Sequence, residues 1–344
     1  MMKKKLLALV VGVSMICTGC GGQAGNSASE GADTAPAEEQ VQETASSESA
    51  SDGKKKVTFY MWAADAEQEF DKAIVAQYEK EHPDVDIEEN YIPYAEYLSK
   101  INTMAAAGSM PDIFNLPEGN VFEWGEKGAL LDLKPLYDEA GVKPSDVSVD
   151  AAIFATDENV WSVGYNVTTI CMYYNKELLE QNGIAFPSKD AASPWTWDEF
   201  VENAKKLTKD VNGNGPDDAG FDPDNIAVYG TMMPTDWTKF IALLHTNGAG
   251  ILNEDGTDLA ISSDAGIEVI QSIADLGNVI HCAPSSAMAK GAFSDASAML
   301  MNGQVAMVID GGWALANYTN EGFDIGVAPI PAFKQPADVS WTAG

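Results

Sequence analysis

The sequence predicts an α/β protein whose helices flank parallel sheets. Three observations carry this. Strand and helix signals alternate as β-α-β-α-β from Lys56 to Leu116, the pattern of a parallel sheet with helical crossovers. The alternation resumes after Thr168 with different details. Beyond the N-terminal segments roughly 290 of the 344 residues remain, enough for two domains.

The N-terminus reads as a targeting segment. Lys3, Lys4 and Lys5 precede an apolar run from Leu6 to Ile16, too short to span a bilayer and suited to a signal h-region. The run ends in CTGC, Cys17 to Cys20, which resembles a bacterial lipoprotein box with Cys17 where that pattern has Leu. On this reading residues 1–20 are a lipoprotein signal peptide and Cys20 is the lipid attachment site. The other reading is an ordinary cleaved signal with an incidental Cys. Residues 21–54 follow as a disordered tether. Val41 is the only larger aliphatic between Gly21 and Gly53, so nothing there offsets the entropy of ordering. Such a chain reaches about 30 Å, which lets a folded body work just above the membrane that holds it.

KVTFYMW (Lys56 to Trp62) reads as a buried strand, and Phe70, Ile74 and Tyr78 mark one face of the helix after it. HPDVDIEENY turns at Pro83 into a second strand. A helix from Tyr94 to Ala107 ends at Gly108, a C-cap glycine, and PDIFNL (Pro111 to Leu116) is the third strand. In the second half TTICMYYN (Thr168 to Asn175) is a strand. TWDEF opens a helix with Thr196 as N-cap and Glu199 completing a capping box; its apolar face is Trp197, Phe200, Val201, Ala204 and Leu207. Ser263 caps a helix carrying Ile267, Ile270 and Ile273. A further helix ends at Asn302-Gly303 and feeds the strand Val305 to Ile309. Ligands of open parallel sheets bind beyond the carboxyl ends of strands. Asp65, Asn115, Asp310 and Trp313 all fall just past strand ends.

Net charge is −32, and all 20 basic residues are Lys. Such a field opposes nucleic acid. Arg, the usual bidentate clamp for phosphate and carboxylate, is absent from the chain, which points to a neutral or cationic ligand. Cys171 and Cys282 either form a bridge or stand as two buried thiols.

FSDASAMLMNGQVAMVIDGGWAL (Phe293 to Leu315) resembles the F…G-x-V-A-M…G-x-W signature of the extracellular solute-binding proteins of carbohydrate ABC transporters, the group that includes maltose-binding protein. PDIF, YYNKELL (Tyr173 to Leu179), TWDEF and IGVAPIPAF (Ile325 to Phe333) match further, in the family's order. The resemblance covers nearly all of the chain after Lys54. It implies two hinged α/β lobes with mainly parallel sheets that close on a sugar: lobe I at 55–167 and lobe II at 168–339. Residues 340–344 would begin the return crossover to lobe I. Relatives continue beyond this point, so the resemblance implies a C-terminally incomplete chain. It further implies a monomeric substrate-binding lipoprotein of an ABC importer, anchored at the outer face of the cell membrane. There it would pass a mono- or oligosaccharide to the permease transmembrane subunits, with no required cofactor and no catalysis. A surface sugar sensor and a surface glycoside hydrolase are the alternatives.

Sugars offer apolar C–H faces to aromatic rings and hydroxyls to polar groups. Trp313 matches the family's stacking Trp after the last strand of lobe II, with Asp310 beside it. Trp62 and Asp65 match positions that line the cleft. Asn115 and Glu118 follow the PDIF strand, Tyr165 and Asn166 precede the crossover strand, and Trp237 and Trp341 lie in cleft-proximal segments. Core packing is the other reading for Trp62 and Trp341. Trp124, Trp161 and Trp195 are read as structural.

DVNGNGPDD places oxygen ligands at Asp210, Asn212, Asn214 and Asp218, positions 1, 3, 5 and 9 of a calcium loop, with Phe221 where position 12 needs Glu. A structural calcium is one reading. The other is a polar loop whose Asn-Gly pairs make turns unaided. The sequence has no G-x-S-x-G, H-E-x-x-H or G-x-x-x-x-G-K, and His82, His245 and His281 have no metal-ligand spacing. Carboxylates are abundant, but none is singled out as an acid/base pair.

Overall fold

The computed structural model describes residues 53–343 except 64, 165, 235, 254, 290–294 and 337–339, with the backbone alone at 65, 66, 166, 320 and 340–343. The signal peptide, Cys20, nearly all of the tether and Tyr165 lie outside the described residues, as do the side chains of Asp65, Asn166 and Trp341.

The first sheet follows the alternation read from the sequence. β1 (Lys55–Met61) pairs in parallel with β2 (Val85–Tyr91) on one edge and β3 (Ile113–Phe114) on the other. Helix α1 (Asp65–Glu81) joins β1 to β2, and α2 (Tyr94–Ala107) joins β2 to β3. Gly108 ends α2 in the left-handed conformation, φ 67°, which a residue without Cβ adopts at no steric cost. β3 is shorter than Pro111 to Leu116: Pro111 has no N–H to donate, and at Asp112 side chains replace the ladder, the Thr58 N–H donating to the Asp112 carboxylate and the Asp112 N–H to the Thr58 hydroxyl.

On α1 the expected apolar face is one residue out of phase. Asp71 and Val75 are the buried residues, while Phe70, Ile74 and Tyr78 are exposed, Phe70 by 61%. The spacing is helical, as read, but one residue of offset turns a helix face by about 100°. Helices α3 (Glu118–Glu126) and α4 (Lys134–Ala140) follow, and then the hairpin β4 (Ile153–Ala155) and β5 (Val160–Val163). Leu116, Val121 and Phe154 form a buried cluster there, with Trp124 and Trp161 packed against it in structural roles.

The second sheet is mixed. β6 (Asn166–Asn175) leads through α5 (Lys176–Gln181) and α6 (Trp197–Leu207) to β7 (Lys209–Asp210) and β8 (Ile226–Thr231). Next come α7 (Trp237–Thr246), α8 (Asp264–Asn278), α9 (Ser286–Ala289), α10 (Ala296–Met301) and β9 (Val305–Gly311). Then follow α11 (Leu315–Asn320), β10 (Ile325–Ala328) and β11 (Ser340–Ala343). The strand order is β10-β6-β9-β8-β7, with β11 also on β6. β8 and β9 are parallel, whereas β6 runs antiparallel to β9, β10 and β11.

Both faces of this sheet are covered, so β9 is buried along its whole length. Met172, Tyr174 and Ile309 face one core cluster, and Tyr173 and Val308 the other, as strand alternation requires; Tyr318 of α11 packs in the second. The capping box of α6 is formed: the Thr196 hydroxyl accepts from the Glu199 N–H, and the Glu199 carboxylate accepts from the Thr196 N–H. That helix buries Trp197, Phe200, Ala204 and Leu207. Ser263 caps α8, but the buried face is Gly266, Val269, Ile273 and Leu276; Ile267 and Ile270 are exposed. Cys171 and Cys282 are free thiols.

Candidate functional site

Trp313 follows β9 on a single helical turn and is 37% exposed. Its ring lies over the backbone of Gly311, so close that a Cβ at 311 would fall inside the indole. Glycine is therefore required there by contact, and the contact holds one face of the ring against the chain. The Tyr173 hydroxyl fixes the same turn by donating to the Gly311 carbonyl at 3.0 Å.

Asp310 is in the strand itself, not beyond its end, and is 8% exposed. Its Oδ1 accepts the Gly311 N–H at 2.8 Å and lies 3.2 Å from the Lys239 ammonium. A carboxylate so deeply placed needs a counter-charge, and Lys239, in the first turn of α7, supplies it. This end of β9 thus presents an aromatic ring beside a neutralised pair.

Other candidates gather around Tyr94, at the start of α2. Trp62, directly after β1, meets Tyr94 edge-on at 5.4 Å and Tyr97 at 4.8 Å between ring centroids. Trp237, the first residue of α7, hydrogen-bonds to the Tyr94 phenol through its side chain. Burial pushes the Tyr94 pKa up most, the Trp237 bond pulls it down, and the charges of Glu118 and Asp236 add to the rise. Glu118, the first residue of α3, is half-buried, and burial raises its carboxyl above the ordinary value. Asp236 caps α7 by accepting from the Thr238 N–H at 3.0 Å. Trp62 and Glu118 from the first half of the chain and Trp237 from the second therefore converge on one phenol. Through α7 and Lys239 that group is tied to Asp310.

Asn115 is buried after β3, its N–H bonded to the Tyr60 carbonyl. The backbone of Asp65 opens α1, and those of Asn166 and Trp341 lie in the β6–β11 ladder. Tyr94 and Lys239 were not singled out from the sequence. Tyr94 was visible only as a helix start, and a Lys two places after a Trp carries no signal of its partner.

The Asp210 loop closes on itself. The Asp210 carboxylate accepts the N–H groups of Asn212, Asn214 and Asp222 and the Asn214 side-chain amide, at 2.8–3.2 Å. Asp218 accepts from the Gly215 N–H at 2.7 Å. Burial would raise the Asp210 carboxyl, but these donors outweigh it and hold it at about 2. Its acceptor sites are engaged by N–H groups, as in a turn-rich polar loop. Among the described residues no group of three or more His, Cys, Asp or Glu side chains is placed to hold a metal ion.

The profile of the bacterial extracellular solute-binding protein family matches residues 63–344. The maltodextrin-binding protein MdxE of Bacillus subtilis is 25% identical over 301 residues, covering 86% of this chain and 64% of its own length. The sn-glycerol-3-phosphate-binding periplasmic protein UgpB of Agrobacterium fabrum is 26% identical over 217 residues, 61% of this chain and 45% of that protein. The chain thus spans about two thirds or less of the length of these relatives. Among solved structures, the ABC substrate-binding protein Lmo0181 of Listeria monocytogenes, in complex with cycloalternan, superposes with a TM-score of 0.72. It is 27% identical and covers 85% of this chain and 70% of that one.

Proposed function

Because the chain belongs to the bacterial extracellular solute-binding protein family, we propose that it captures a neutral sugar or oligosaccharide between two α/β lobes for an ABC importer. The lobes are those at 55–167 and 168–339, with β11 opening the return crossover. In this reading the ligand is released to the permease transmembrane subunits, and the protein binds without turnover. A lipid on Cys20 holds it, as a monomer, at the outer face of the cell membrane.

The observation that carries the reading is the placement of Trp313. A half-exposed indole with one face on the Gly311 backbone leaves its other face for an apolar ring surface. Lys239 neutralises Asp310 beside it, so the wall offers hydrogen bonds without net charge, which suits hydroxyls. Trp62, Tyr94, Glu118 and Trp237 would line the facing wall; Asp65, Asn115, Tyr165, Asn166 and Trp341 would complete it. A sugar phosphate is disfavoured by the absence of Arg. A thermal-shift panel of neutral oligosaccharides beside glycerol 3-phosphate tests the choice. A melting-temperature rise with a neutral sugar and none with the phosphate is expected, and the reverse pattern would overturn it. Radiolabelled fatty acid entering the wild type but not Cys20→Ala would support the anchor; equal labelling would refute it.

A further inference from the structure

Tyr173 holds the turn that carries Trp313 at both of its ends. It lies on β6 opposite Val308 of β9, and the two share one face of the sheet. From there its hydroxyl reaches the end of β9 and donates to the Gly311 carbonyl at 3.0 Å. Its ring packs on Tyr318, with centroids 5.0 Å apart. Gly311 precedes Trp313 and Tyr318 of α11 follows it, so one side chain grips both flanks of the segment.

The remaining contacts of the turn meet at the same glycines. Asp310, paired with Lys239, accepts the Gly311 N–H at 2.8 Å. A Cβ at 312 would stand 2.6 Å from the Thr168 hydroxyl oxygen, so that backbone rests directly on β6. The N–H and the C=O of Gly311, the residue under the indole, are thus each engaged by a side chain. Tyr173 is 1% exposed, and a hydroxyl at that depth is costly unless it is bonded. Burial raises its pKa most and the neighbouring Cys171 and Asp310 add to the rise, so it stays a donor. A ring alone would fill this place in the core. What the hydroxyl adds is a bond to the peptide on which the indole lies.

We propose that Tyr173 is a positioning residue for Trp313, setting the tilt of the indole through the Gly311 carbonyl while the Lys239–Asp310 pair holds the N–H. Tyr173 is buried and touches no ligand itself; it acts through the ring. An aromatic platform held in place before a sugar arrives has less freedom to lose on binding. The consequence for affinity rests on the sugar-binding reading of the cleft, whereas the grip on the ring does not.

Fluorine NMR of the full chain grown with fluorotryptophan tests this, with maltotriose titrated into the same samples. The chain has eight Trp, and Trp313→Phe identifies the Trp313 resonance by its loss. Tyr173→Phe keeps the buried ring and removes the bond. It should shift or broaden the Trp313 resonance more than any other, and weaken maltotriose about fivefold. Lys239→Met, which loosens Asp310 on the other side of Gly311, should move the same resonance, and Lys239→Arg, which keeps the charge, should not. Tyr174→Phe is the control: Tyr174 is as deeply buried on the same strand but faces the other cluster, and its loss should leave the resonance in place. A merely structural Tyr173 would lower the melting temperature in Tyr173→Phe with the Trp313 resonance and the affinity unmoved, and that result would overturn the proposal. A wild type that ignores maltotriose would count against the sugar reading, while the unliganded resonance still decides whether Tyr173 sets the ring.

Discussion

The side chains of Tyr94 and Trp237 meet where the first turn of α2 approaches the first turn of α7, and burial raises the phenol pKa by more than the indole pulls it down. The two residues are more than a hundred positions apart, on helices belonging to the two different sheets. Trp62 braces the same phenol ring from the side.

Tyr94→Phe keeps that ring contact and deletes only the oxygen. The variant should lose about 0.5–1.5 kcal/mol of stability, and Trp237→Phe a similar amount. In a double-mutant cycle the second substitution should cost little once the first is made. Additive losses in urea unfolding would show that the bond is not formed in solution.

Gly311→Ala should displace the Trp313 ring, since the added carbon would occupy the space of the indole. Iodide quenching of Trp313 should rise, and sugar affinity should fall, while β9 stays in the sheet. A Trp313 environment identical to wild type would contradict the packing described.

Lys239→Met should leave the Asp310 carboxylate buried without its counter-charge, costing about 2 kcal/mol. Adding Asp310→Asn should recover part of that loss. A double variant no more stable than Lys239→Met would mean that the ion pair is not what stabilises this end of β9.

The Asp210 carboxyl, held at about 2 by N–H donors against an ordinary value of 3.8, gives a pH prediction. A carboxyl lowered by folding contributes stability above its unfolded value, and that stability is lost as pH falls through the folded value. The urea-midpoint difference between wild type and Asp210→Asn should therefore be constant above pH 3.8. It should shrink from there down to about pH 2. A difference that stays flat to pH 2 would contradict the hydrogen-bond assignment. Calcium should leave the wild-type melting temperature unchanged, because those N–H groups already fill the carboxylate.

Local signals were legible wherever the chain's own chemistry decides the outcome. The Thr196–Glu199 box, the Gly108 stop and the Ser263 cap involve residues three or four apart, and each formed as read. Which helix face is buried depends on the sheet beneath it. On α1 and α8 the run of Phe and Ile therefore indicated a helix but not its phase. The mixed second sheet was hidden for a similar reason, because direction belongs to a pairing and not to a strand. In the site, Trp313 was marked by its glycines. The partners Tyr94–Trp237 and Lys239–Asp310 are long-range and leave no spacing to read. The Asp210 loop has the oxygens of an ion site at the right intervals, and only the structure shows backbone N–H groups already using them.

The proposed function turns on the exposed face of Trp313, which would stack on a neutral sugar. Isothermal titration of the wild-type chain and of Trp313→Ala with a neutral oligosaccharide, maltotriose first, tests it most directly. The wild type should bind. Trp313→Ala, with an unchanged melting temperature, should bind at least about tenfold more weakly, a loss of about 1.5 kcal/mol. Equal affinity in a normally folded Trp313→Ala would contradict the claim and leave Trp313 as a packing residue on Gly311.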